Sequence, residues 1–284
     1  MDKRTFTAAC VQLRAGQNVA ANIDAAEVLI REAAGAGADY VQTPEQTAIM
    51  ELRTEALFAN IVPEAEDPAL KRFTALAAEL GIWLHIGSLA IRVAEDKAAN
   101  RAFIIAPDGG IAARYDKIHM FDVDLPSGET YRESKNYRPG KEAVTVDLPW
   151  GRLGLSICYD LRFPYLYRVL AKAGADFLAI PAAFTRQTGE AHWHVLQRAR
   201  AIETGCFVIS AAQGGTHQNG RQTFGRSLIV SPWGEVLAEA GIDPCIITAK
   251  IDPAASAEAR ARIPALQHDR GFTLRQVGAA EAAE

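Results

Sequence analysis

The 284 residues carry 30 Lys and Arg against 34 Asp and Glu, a formal net charge of −4, with 49% hydrophobic and 23% charged positions. Such a chain buries a sizeable core, and its mildly acidic balance, with no basic run interleaved with aromatics, excludes a phosphate-binding surface for nucleic acid. No apolar run approaches the roughly 18 residues that span a bilayer, so a membrane partner is excluded as well.

Taken in chain order, helical and strand periods alternate. "TFTAACV", residues 5–11, reads as a strand rather than a secretion signal. Val19, Ile23, Ala26, Leu29, Ile30 and Ala33 keep one face of a helix that Gly35 and Gly37 end. Residues 39–43 form a short strand. Leu70, Phe73, Leu76 and Leu80 mark a second helix stopped by Gly81, and "IWLHIGSLAI" is the next strand. Two hairpins follow, "RAFIIAPDGGIAARYDK" and "AVTVDLPWGRLGLSIC", each turning on Pro and Gly chemistry. In the second half Pro164 opens a helix, with Leu166, Val169, Leu170 and Ala173 inward and Gly174 at its end. "DFLAIPAAF" is a strand, 189–205 a helix, "CFVISAAQ" a strand and "SLIVSPWGEVLAEAG" a hairpin.

The second half echoes the first with no linker between them. Near-continuous apolar strands need cover on both faces, so an α/β fold of two facing sheets with helices outside each is expected, a four-layer α-β-β-α sandwich. It would occupy residues 1–274 as a single domain, with 275–284 a flexible tail.

Four cysteines at 10, 158, 206 and 245 include no C-x-x-C pair, and the six histidines lack the H-E-x-x-H spacing. Neither a disulfide framework nor a metal centre is expected, and a reducing, cytoplasmic compartment fits. Cys10, Cys206 and Cys245 fall in apolar strands or at their starts and read as structural. Cys158 differs. In "GLSICYDLRFP" it sits at the carboxyl end of a strand, where α/β sheets build their sites. The helix opened by Pro164 and the nearby Arg162 would favour its thiolate. A nucleophilic thiol needs a base and an oxyanion stabiliser. "TPE" and "YDKIH" place Glu45 and Lys117 at corresponding strand ends.

Glu45 in "TPE", Lys117 in "YDKIHMFD" and Cys158 in "GLSICYDLRFP" together resemble the nitrilase superfamily of carbon–nitrogen hydrolases, over a span from "AACVQL" to "IPALQH". The family's fold is the same sandwich. The resemblance implies that Cys158 attacks an amide carbonyl, and that Glu45 serves as base and then acid. Lys117 and the Tyr159 backbone N–H would hold the oxyanion, with no metal or organic cofactor. It also implies a second glutamate beside the lysine, with Glu133 of "YRESK" preferred to Glu129 of "SGET".

"CYDLRFP", "RARAIET" and "AAQGGTH" look like the branch holding ω-amidases and deaminated-glutathione amidases, and the choice between those two stays open. The substrate would be a small amide bearing a carboxylate, such as deaminated glutathione or α-ketoglutaramate, cleaved to acid and ammonia through a thioester. Arg162 is the candidate for its carboxylate, unless it pairs with Asp160. The stretch Phe184-Thr185-Arg186-Gln187-Thr188 is expected to be a loop closing over the pocket, while His192 and His194 serve helix packing. An N-carbamoyl amino acid amidohydrolase, a nitrilase, a papain-like hydrolase with a histidine base and a catalytically silent scaffold are the competing readings. Family members commonly dimerise through outer helices, which implies a homodimer or higher homo-oligomer through residues 164–174 and 189–205.

Overall fold

The computed structural model describes residues 5–126 and 128–277. Two mixed six-stranded sheets lie at its centre. In spatial order the first runs Cys245–Ile251, Phe6–Gln12, Tyr40–Gln42, Trp83–Arg92, Ala98–Ile105 and Ile111–Asp116. The second runs Thr145–Leu148, Gly151–Leu155, Phe177–Ala179, Phe207–Ser210, Leu228–Val230 and Val236–Glu239. In both, one antiparallel pair is followed by two parallel pairs and then by two antiparallel pairs. The repeat expected from the alternation of elements is therefore present in the pairing itself.

Parallel neighbours need a crossover, and helices supply it. Val19–Gly35 and Pro68–Leu80 cross over in the first half, Pro164–Lys172 and Arg186–Thr204 in the second. Their ends follow from local chemistry. The Asn18 side chain accepts from the Ala21 N–H, Asp67 accepts from the Leu70 N–H ahead of Pro68, and Gly81 and Gly205 close their helices in the left-handed conformation.

Alternation along Phe6–Gln12 sends side chains to both faces of the first sheet. Phe6, Ala8 and Cys10 join Leu153, Leu155, Phe177 and Val208 in the core between the sheets. Ala9 and Val11 pack instead under Ile23, Ile30, Phe73 and Leu76 of the outer helices. Helix, sheet, sheet and helix are thus stacked in four layers, and each buried Leu, Ile or Phe contributes on the order of 1.5–3 kcal/mol. The long strand Trp83–Arg92 carries a register shift between Ile86 and Leu89, with Gly87 inside it. No described helix is long and apolar enough to cross a membrane. Residues 275–277 of the expected tail are exposed without regular structure, and 278–284 lie outside the described residues.

Candidate active site

Each catalytic candidate sits just beyond a strand. Glu45 follows Tyr40–Gln42, Lys117 follows Ile111–Asp116 and Cys158 follows Gly151–Leu155. Two come from the first sheet and the third from the second, so the sites meet where the sheets face each other. All three side chains are buried, at 4%, 2% and 7% exposure, yet all line one pocket of about 230 Å³.

Lys117 Nζ lies 2.8 Å from Glu45 Oε1 and 2.8 Å from Glu133 Oε2. Buried Glu45 and partly buried Glu133 thus neutralise and hold one ammonium, which keeps its pKa well above 10.5 although burial opposes the charge. An ammonium has three N–H groups, so one remains for a substrate oxygen. Glu133 is fixed in turn by the Phe121 N–H at 2.7 Å. Glu129 is exposed and instead accepts from the Tyr131 hydroxyl.

Glu45 is tied down at both oxygens. Oε2 accepts from the Ala183 N–H at 2.9 Å, and Oε1 accepts from Lys117 and from Asn100 Nδ2, also at 2.9 Å. Asn100 Nδ2 also reaches Glu133 Oε1 at 3.0 Å, bridging the two acids. Burial alone would push the Glu45 carboxyl up. Lys117 and the hydrogen bond from the Cys158 thiol outweigh it and hold the carboxyl below its ordinary 4.5. For Cys158 the balance is reversed. Burial, then the Glu45 carboxylate, push the thiol well above 9.0, and Lys117 offsets this only in part. The resting pair is therefore a thiol beside a carboxylate, which corrects the expected thiolate. The helix opened by Pro164 begins six residues downstream, and a 3₁₀ turn over Cys158–Arg162 intervenes.

That turn is an elbow. Cys158 has φ 51°, a left-handed conformation that costs a non-glycine residue about 1–3 kcal/mol and so must be enforced by its surroundings. Its N–H donates to the Pro181 carbonyl at 2.9 Å, and the first N–H of the turn's own ladder is that of Asp160, which donates to the Ile157 carbonyl at 3.1 Å. The Tyr159 N–H precedes this ladder. Asp160 is fully buried and accepts from the Tyr115 hydroxyl at 2.6 Å, the Ile157 N–H at 2.8 Å and His119 at 2.6 Å. Its oxygens are spent on the elbow, so the alternative ion pair with Arg162 is not formed.

Arg162 lines the pocket with Tyr159, Phe184, Thr185 and Thr188. Its guanidinium lies over the Phe184 and Tyr159 rings and contacts His192 at 3.3 Å, with no ion pair among the described residues. Of the stretch expected to be a loop, Phe184 and Thr185 precede a helix and Arg186 to Thr188 form its first turn. The Thr185 side chain caps Arg186–Thr204 by accepting from the Thr188 N–H at 3.3 Å, and the two hydroxyls are 2.9 Å apart. Trp193 is buried and donates to the Arg226 carbonyl, while His194 meets Glu239, in keeping with helix packing. Cys10 and Cys206 are wholly buried. Burial raises both thiols. Asn100, which bridges the two acids, and Arg221, which lines the pocket, were not anticipated.

A buried thiol, a hydrogen-bonded carboxylate and a doubly paired ammonium at the strand ends of an α-β-β-α sandwich define a class, the carbon–nitrogen bond hydrolases built on this fold. The chain belongs to the carbon–nitrogen hydrolase family, whose model matches residues 7–261. A deaminated glutathione amidase of Synechocystis sp. is 42% identical over 93% of this chain and 98% of its own. Omega-amidase NIT2 of Homo sapiens is 36% identical over 94% and 95%. The crystal structure of the Caenorhabditis elegans NitFhit protein superposes with a TM-score of 0.88 at 35% identity, covering 95% of this chain and 66% of that longer one.

Proposed function

We propose that the protein is an amidase that hydrolyses small carboxylate-bearing amides, deaminated glutathione or α-keto-acid ω-amides such as α-ketoglutaramate, in line with relatives named deaminated glutathione amidase and omega-amidase. The observation that carries this is the convergence of Glu45, Lys117 and Cys158 on one pocket that also holds the acid-free guanidinium of Arg162.

The steps follow from the geometry. Sγ of Cys158 attacks the carbonyl carbon as its proton passes to Glu45, and the oxygen gathers negative charge between the spare Lys117 N–H and the Tyr159 backbone N–H. Glu45 then protonates the leaving nitrogen, the C–N bond breaks and a thioester remains on Cys158. Water, deprotonated by Glu45, attacks the thioester carbon, the C–S bond breaks to release the acid, and Glu45 returns the proton to Sγ of Cys158. Glu133 keeps Lys117 in place and Asn100 keeps both carboxylates in place. A primary ω-amide leaves as ammonia, whereas deaminated glutathione leaves as a dipeptide amine. Arg162 supports a carboxylate on the acyl part. It gives a nitrile or other uncharged substrate no comparable contact.

The test is a release panel of deaminated glutathione, α-ketoglutaramate, N-carbamoyl amino acids and simple nitriles, with mass detection of an acyl adduct on Cys158. Turnover of the two keto-acid amides and an adduct lost in Cys158→Ala are expected. Turnover of only carbamoyl compounds or nitriles would overturn the reading. The four free thiols suit a reducing cytoplasm. Exposed Tyr165, Val169, Val195 and Ile202 on Pro164–Lys172 and Arg186–Thr204 support a homodimer through these helices.

A further inference from the structure

The steps above leave two arginines of the pocket wall unused, and of these Arg132 is paired with Asp124 whereas Arg221 has no acidic partner among the described residues. Its Nη2 donates to the Ala183 carbonyl at 2.8 Å, and Nη1 rests 3.4 Å from Met50 Sδ. Its Nε is buried without a hydrogen-bond partner among the described residues, and no carboxylate pairs with it there. Glu51, the other acid on that wall, is satisfied elsewhere, by the Leu52 and Arg53 N–H groups at 2.9 Å each and by Gln17. A pocket-lining guanidinium with no acidic partner among the described residues is an anion site in search of its anion.

Arg221 and Arg162 line the same pocket. The Arg221 guanidinium lies 5.3 Å from the Tyr131 ring centre, and Tyr131 lies 5.2 Å from Phe121. Phe121 lies 5.1 Å from Tyr159, over whose ring Arg162 sits at 5.9 Å. Two guanidinia without acidic partners are thus joined through a wall of three aromatic rings, and both also reach the Ala183–Phe184 segment, Arg221 at the Ala183 carbonyl and Arg162 over the Phe184 ring at 5.4 Å. The reactive groups stand along that wall. Cys158 precedes Tyr159, and Glu133 grips the Phe121 N–H. The surroundings of the two arginines are also chemically distinct. Arg221 shares Ala183 with Glu45, since the Ala183 N–H donates to the carboxylate that protonates the leaving nitrogen. Arg162 belongs to the turn that presents the nucleophile and the Tyr159 N–H.

We infer that Arg221 binds an anionic group on the leaving-amine side of the scissile bond while Arg162 binds the carboxylate on the acyl side, so the pocket selects amides charged at both ends. This rests on the amidase reading above and narrows it. Deaminated glutathione has such a charge pattern, with a keto-acid carboxylate on one side and a glycine carboxylate on the other. α-Ketoglutaramate has only the first.

Both amides are titrated calorimetrically into Cys158→Ala protein, where neither is consumed, with and without Arg221→Met, and kcat/KM for both is measured on the thiol-bearing proteins. Arg221→Met is expected to weaken deaminated glutathione about tenfold more than α-ketoglutaramate in Kd and in kcat/KM, one charge-assisted contact being worth about that factor. Arg162→Met should weaken both. Arg221→Lys, which keeps the charge without the fork, should recover part of the discrimination and guards against misfolding of the Met variant. Equal losses on both amides would make Arg221 a prop for Glu45 and overturn this inference alone. Binding and turnover of neither amide by otherwise intact protein would remove the amidase reading and this inference together.

Discussion

Cys158 begins as a thiol because it is buried next to a carboxylate, and that decides how it can be probed. Glu45→Gln deletes a charge that raises the thiol and leaves Lys117, which lowers it. Iodoacetamide at pH 8 is therefore expected to alkylate Cys158 faster in Glu45→Gln than in the unaltered protein, while kcat falls by about 10³ because no group can carry the proton. Slower alkylation in the variant would mean that the thiolate is already present at rest. The pH profile has a defined sign. A base with a lowered pKa stays ionised until the pH drops below 4.5, so the acid limb of kcat/KM belongs below that value. A histidine base would put it near about 6.5.

At the scale of elements, the site depends on how closely two strand ends approach. Gly87, in the irregular part of Trp83–Arg92, leaves no room for a side chain. A Cβ there would lie 2.1 Å from the Thr43 carbonyl oxygen and 2.5 Å from Pro181 Cβ. Thr43 and Pro44 lead into Glu45, and the Pro181 carbonyl holds the Cys158 N–H. Gly87→Ala is expected to cost about 1–3 kcal/mol of stability and to lower kcat more than it raises KM, since it pries base from nucleophile. Unchanged thermal unfolding and kcat would show that the strand ends give way freely. The same closeness explains what was and was not legible beforehand. Glu45, Lys117 and Cys158 stood out because each polar group ends an apolar run. Asn100 did not, lying within Ala98–Ile105 among alanines, and only the ladder bond from the Lys117 N–H to the Asn100 carbonyl brings it beside the lysine. Arg221 lies outside every strand and helix, where no periodicity marks it. Gly189 misled in the other direction. It reads as a helix start, yet it lies in the first turn of Arg186–Thr204 and is small because a Cβ would meet Phe224 at 2.3 Å.

For the molecule as a whole, duplication was readable from the order of elements, whereas the pairing of Cys245–Ile251 with Phe6–Gln12 across the length of the chain was not. The outer helices of the second half show solvent Val195 at 69% exposure and Val169 at 54%. If these faces meet in the proposed homodimer, Val195→Glu should halve the mass measured by light scattering, because a charge buried without a partner opposes association. An unchanged dimer mass would move the contact elsewhere.

The proposed nucleophile Cys158 hangs from one sheet and its proposed proton acceptor Glu45 from the other, so on that proposal turnover works as a ruler laid across the gap between them. Mild urea that lets the layers slip by an ångström would silence the enzyme while the backbone ladders still hold. Loss of catalysis is expected at lower urea than loss of ellipticity, with coincident midpoints showing instead that the layers part only when the strands themselves dissolve.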